Sequence, residues 1–420
     1  MEITYPHMLR HYAYFQVLAS LEEKTPAWNA ALAGLSVLSL VEDARRDYSI
    51  IDRDWTGVKA VADGVEAIKE GSPLRRPLLK VVDELKGAAN WNVVNQILFS
   101  YGRALDYDGH WNLAVDVFST VADIALEDRV PELAIEATTA LGGAARRSGD
   151  WDRSAEGYAE AAHLAHTVGD KQAGLTVRVG TANTQMAIGN IPAARTIFDE
   201  VIAEAEASGL DGVAARALHG RASVAFLQGQ VDDTVSLAYR ALEKTTDPRA
   251  KDGITADIAA AFQQLGMNEA ARDAHIVISL TSRYQWVRWQ AAINLMELAF
   301  NEGDEKTFEE YGRELKYSAL DPRLRSYFLL LYGIGCLKFG RAEEGIKWIA
   351  DARDFAAKHK INQVMFEAEA ALAKGEKEIR KAAAAKHWAE PVSPEVLHVA
   401  EAFAELRKTA VSSPPAEDFV

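Results

Sequence analysis

A short set of side chains has the types and spacing that chemistry requires. His163 and His166 stand three apart, so on a helix they share a face and could ligate one metal. No third ligand lies near them in sequence, so two solvent-facing imidazoles are the expectation and no metal is assigned. Glu309-Glu310 and Glu343-Glu344 could supply acid–base pairs, but adjacent residues on a helix point apart, which suits solvated faces. The stretch Arg283–Trp289 alternates cations with aromatics and could stack bases or clamp a peptide. The competing expectation is that Trp286 and Trp289 pack on a preceding helix while the arginines stay wet. Cys336 is the single cysteine, so no disulfide within the chain is possible; its apolar surroundings predict a buried, inert thiol. No phosphate-binding glycine loop, His-Glu-x-x-His or Gly-x-Ser-x-Gly occurs. No catalytic residue, cofactor or enzyme activity is assigned.

The chain's 420 residues exceed one ordinary core, so several domains or a repeat array is expected. The net charge of −15 argues against a nucleic-acid partner, since phosphate binding needs clustered cations. No leader-like segment opens the sequence and no apolar run is long enough for a bilayer, so a cytoplasmic location with no membrane partner is expected.

Seven glycines punctuate helical text: Gly109, Gly149, Gly189, Gly229, Gly266, Gly303 and Gly340, in steps of 40 and then 37, with a weaker eighth at Gly375. Glycine accepts the positive φ of a helix C-terminus, so each should end one helix (A) just before another (B). No sustained alternation marks a strand.

The best-formed copy carries Leu141-Gly142, Gly149-Asp150-Trp151, Ser154, Tyr158 and Ala161; its neighbours carry Gly102, Trp111, Ala114 and Phe118, and Ala182, Ala194 and Phe198. This text resembles the tetratricopeptide repeat family. Later copies depart from the pattern, with Met296 where a small residue is expected and Phe308 where alanine is usual. The resemblance implies an all-α fold, a right-handed superhelical solenoid of helix-turn-helix repeats. It also implies a protein or peptide partner held in a groove lined by helices A. Counting back from the turn glycines places Arg103, Arg146, Asn183, Arg216 and His219 on that face, with Gln96, Phe99, Arg147, Arg178, Met186, Ser223, Gln290, Ile293, Asn294 and Glu297 near them. Asn183 matches a position where the family uses asparagine to grip peptide backbone, and the arginines suit acidic groups or a free carboxylate.

Residues 1–90 are expected to be helical, with Tyr5, Leu9, Tyr12 and Phe15 forming an aromatic face and Thr25-Pro26 opening an apolar helix. Seven repeats fill 91–360 and a degraded eighth fills 361–386. A capping helix spans 393–409, with Val396, Val399, Ala400, Phe403 and Leu406 on one face, before a disordered tail at 410–420. Three roles suit this layout: a scaffold or adaptor, a peptide-sensing regulator similar in layout to bacterial peptide-pheromone receptors of the Rap type, and a non-catalytic accessory subunit.

Overall fold

The computed structural model describes residues 10–53, 55–87, 89–318, 320–359, 361–384 and 392–412. Tyr5, Leu9 and residues 413–420 of the expected tail lie outside them. The described residues form α-helices and no strand. Contacts divide the chain into two compact units, Met1–Val201 and Ile202–Val420, the boundary falling within a helix. No helix among the described residues is long and apolar enough to cross a membrane.

The first unit opens with α1 (Tyr12–Ser20), α2 (Pro26–Arg46), α3 (Ile50–Arg53), α4 (Trp55–Glu66) and α5 (Arg75–Lys86). It continues with α6 (Trp91–Tyr107), α7 (Trp111–Glu127), α8 (Pro131–Ser148), α9 (Trp151–Val168) and α10 (Lys171–Ala187). The boundary lies in α11 (Ile191–Ala207). The second unit holds α12 (Asp211–Leu227), α13 (Val231–Lys244), α14 (Pro248–Gln264), α15 (Asn268–Thr281) and α16 (Gln285–Glu302). It ends with α17 (Glu305–Tyr317), α18 (Pro322–Lys338), α19 (Ala342–Lys358), α20 (Asn362–Ala384) and α21 (Pro394–Ser412). Even-numbered helices from α6 to α18 are helices A, and the odd-numbered ones after them are helices B. Sequence neighbours pack on one another, as α7 does on α8 and α18 on α19.

Every one of the seven turn glycines has φ between 73° and 86°. The residue after each returns its N–H to the carbonyl five back: His110 to Leu105 (2.9 Å), Asp150 to Ala145 (3.0 Å), Arg341 to Cys336 (2.9 Å). That bond satisfies a carbonyl the helix end would leave open, and only a left-handed residue permits it. In the early repeats the B-to-A turns use the same device, at Gly169 (φ 73°), Gly209 (φ 67°) and Arg129 (φ 58°). Later the device is dropped: α13, α15 and α17 shorten to 14, 14 and 13 residues and end in extended Thr245, Ser282 and Ser318. Helices A keep 17 or 18 residues there, so the change of step from 40 to 37 is a loss of one turn from helix B.

The departures from the repeat pattern are compensated in space. Phe308 is fully buried because Gly335 and Gly312 make room; a Cβ at Gly335 would strike the Phe308 ring and one at Gly312 the Tyr332 ring. Phe308 and Tyr332 then stack at 5.0 Å. Met296 is also fully buried.

Several expectations are corrected. Gly375 lies inside α20, so no turn follows it among the described residues of the expected eighth repeat, 361–384. Tyr12 and Phe15 are exposed; Tyr14 is the buried aromatic of α1, since its hydroxyl meets that of Tyr101 at 3.2 Å over Gly34. Thr25 does cap α2, accepting from the Trp28 N–H at 3.3 Å. The C-terminal helix runs to Ser412 and does not cover the last repeat: it lies on α13 and α15. Val396, Val399, Phe403 and Ala410 are its buried stripe, while Leu406 is exposed. An amphipathic stripe fixes which face is buried, not against what.

Candidate functional site

Within the first unit, Arg103 on α6, Gly143 on α8 and Asn183 on α10 occupy one register, each six residues before its turn glycine. Gly143 is itself buried, covered by the Arg147 and Tyr158 side chains. A Cβ there would lie 3.5 Å from the Tyr158 hydroxyl and from the Arg147 guanidinium. The Tyr158 ring comes from α9 and is buried, pressed on Gly142 and Gly180. Its hydroxyl therefore lies close under the glycine, beside the Arg146 guanidinium.

The polar groups differ in what they leave open. Arg147 is committed to Asp106, with Nε to Oδ1 at 2.9 Å and Nη2 to Oδ2 at 2.6 Å. Arg146 is half-buried, and its Nε has no hydrogen-bond partner among the described residues. Asn183 is half-buried, and no hydrogen bond satisfies its amide among the described residues. Arg103 lies over the Phe99 ring at 5.1 Å. Arg103 is exposed as a residue, yet burial pulls its pKa below the usual value; Asp106 and Glu136 oppose that and Arg147 adds to it. Donors from Arg146, Arg103 and Asn183 suit a carboxylate, and the Asn183 carbonyl adds an acceptor that an extended backbone can use.

The second unit carries the other two predicted residues. Arg216 on α12 is exposed, and burial nonetheless lowers its pKa against the pull of Asp247. His219 is taken up by Asp257 of α14, with Nε2 to Oδ2 at 2.7 Å. Of the neighbouring candidates, Ile293 is core, Gln290 binds Asn294 at 3.2 Å, and burial raises the Glu297 pKa, with Glu367 adding and Lys338 opposing. In the first unit Arg178 pairs with Glu200 at 2.5 Å.

The remaining chemistry-bearing residues resolve into structure. His163 and His166 are exposed on α9. Cys336 is fully buried, and burial pushes its thiol up to about 12. Glu309 and Glu344 are not free faces: both pair with Arg341, at 2.5 and 3.6 Å. Trp289 packs on the core, but Trp286 is 46% exposed, against the expectation that both pack. Sequence reasoning missed the packing of the Tyr158 hydroxyl beneath Gly143 and beside Arg146. It also missed Asp106 and Asp257, which lie 41 and 38 residues from their partners with no local signal to mark them.

No protein-family model matches the chain, and no curated protein sequence does. Solved structures do show likeness. The apo form of the quorum sensor NprR from B. thuringiensis matches with 12% identity, 82% of this chain, 92% of that chain and a TM-score of 0.48. A STAND signal-transduction ATPase with a tetratricopeptide repeat sensor, from Pyrococcus horikoshii, matches with 13% identity, 72% of this chain, 51% of that one and a TM-score of 0.43. BtubC from P. vanneervenii matches with 14% identity, 51% of this chain, 84% of that chain and a TM-score of 0.35. No residue role is transferred from them.

Proposed function

We propose that this chain is a tetratricopeptide-like repeat protein that binds a polypeptide partner along helices α6, α8 and α10, without catalysing a reaction. The observation that carries this reading is Asn183. The Asn183 amide makes no hydrogen bond to the described residues and stays reachable from solvent, so an extended peptide can offer it both an acceptor and a donor. Arg103 shares that register and Arg146 follows Gly143 by three residues on α8; both favour a partner with acidic groups or a free carboxylate. A scaffold, a peptide-sensing regulator and an accessory subunit would all use this face; they differ in the event that capture of the partner triggers.

The test is affinity purification from the native cell with mass spectrometry, comparing the wild-type chain with Arg103→Ala/Asn183→Ala. Neither side chain belongs to the core, so the variant should fold. The reading expects a partner that the wild type enriches and the variant loses. A partner retained equally by both would overturn it.

A further inference from the structure

A cavity lies in the first unit, about 710 Å³ in volume, between the start of α5 and the face of α6. Arg75, Arg76 and Lys80 line it, and no acidic residue does. In a chain of net charge −15, three cations on one cavity are unexpected. None of the three has an ion pair or hydrogen bond among the described residues, and the Arg75 Nε is enclosed without a partner. Like charges gathered without counter-charge repel, and an anion relieves that repulsion. The backbone contributes little, because the Arg75 N–H already binds the Ser72 carbonyl at 3.2 Å and Pro77 has none to offer. The side chains would carry the binding. The rest of the lining is largely apolar: Pro73 just before α5, Pro77 and Leu79 within it, and Ile97 from α6.

We propose that this cavity binds a phosphate monoester with an apolar body. The phosphoryl oxygens lie on Arg75, Arg76 and Lys80, and the body lies against Pro77, Leu79 and Ile97. A dianion with three acceptor oxygens matches three cations better than a carboxylate does, and the planar arginine forks suit it. The apolar lining gives the body a surface that inorganic phosphate cannot use.

Calorimetric titration of the full chain with phenyl phosphate tests this. Saturable binding is expected, with inorganic phosphate about tenfold weaker for want of the apolar contact. Arg76 and Lys80 are exposed, so Arg76→Ala/Lys80→Ala should keep the circular dichroism of the wild type and bind phenyl phosphate at least about tenfold more weakly. Arg76→Lys should retain part of the affinity, since the charge stays and the fork is lost. Absence of saturable binding to the wild type, or equal binding by the double variant, overturns the proposal. Equal affinity for inorganic and phenyl phosphate overturns the assignment of the apolar body.

Discussion

Arg407 of α21 lies 2.8 Å from Asp273 of α15, so the last helix is tied to the middle of the second unit and not to its final repeat. The same helix puts Phe403 edge-on to Phe262 of α14 at 6.2 Å and His398 edge-on to Tyr239 of α13 at 6.4 Å. Its first turn is fixed where the Ser393 N–H meets Asp232 at 3.2 Å. The surface it covers belongs to α13 and α15, two of the helices B that have lost a turn.

The apolar stripe should dominate that docking. Phe403→Ala removes a fully buried ring and should cost about 3–5 kcal/mol. Arg407→Ala breaks a pair whose arginine is 41% exposed and should cost about 1 kcal/mol or less. Urea melts of the two variants check the ranking; a larger loss for Arg407→Ala would contradict it.

Arg129 takes φ 58° at a helix end where the matching residues 40 and 80 positions later are glycines. A left-handed arginine is strained by about 1 kcal/mol, and glycine is not. Arg129→Gly should therefore stabilise by up to about 1 kcal/mol. Gly149→Val, at φ 82° with open space around its Cβ position, should destabilise by about 1–3 kcal/mol through the backbone alone. Melting temperatures moving in opposite directions confirm the turn assignment, and a rise for Gly149→Val would refute it.

Two buried histidines should give opposite pH responses. Burial pulls the His11 pKa down, but Asp116, 3.1 Å from Nδ1, and the Glu42 carboxylate outweigh both it and Arg10, and the net shift is upward. Its stabilising effect is complete below about pH 6.5 and is lost as pH rises through the raised pKa. His275 has no partner for either ring nitrogen among the described residues, and burial lowers its pKa to about 4. The folded state resists that proton, so its contribution falls as pH drops from about 6.5 towards 4. Chemical melts from pH 5 to 8 should show His11→Gln flattening the loss on the alkaline side and His275→Phe flattening the loss on the acid side. The reverse assignment would contradict both.

The turns were legible because glycine is the residue a left-handed helix end selects, and the repeat length exposed seven of them at once. Tyr158 was legible as packing, but the place of its hydroxyl under Gly143 was not, because a one-dimensional reading treats that glycine as a spacer. His275 holds the register of Phe118, Tyr158 and Phe198, nine residues after its turn glycine, so its burial could have been read from alignment of the repeats. The partners of Arg147 and His219 could not. They come from other helices A, and the match depends on side-chain reach across a packed pair. The docking of α21 was equally hidden, because its stripe would fit any apolar surface of the right width.

Capture of a partner along one register of helices A in the first unit is open to a direct measurement: hydrogen exchange on the chain with and without its captured partner. New protection should concentrate in α6, α8 and α10, and should be lost in Arg103→Ala/Asn183→Ala. Protection confined to α7 and α9, with those three helices unchanged, would contradict binding along that register.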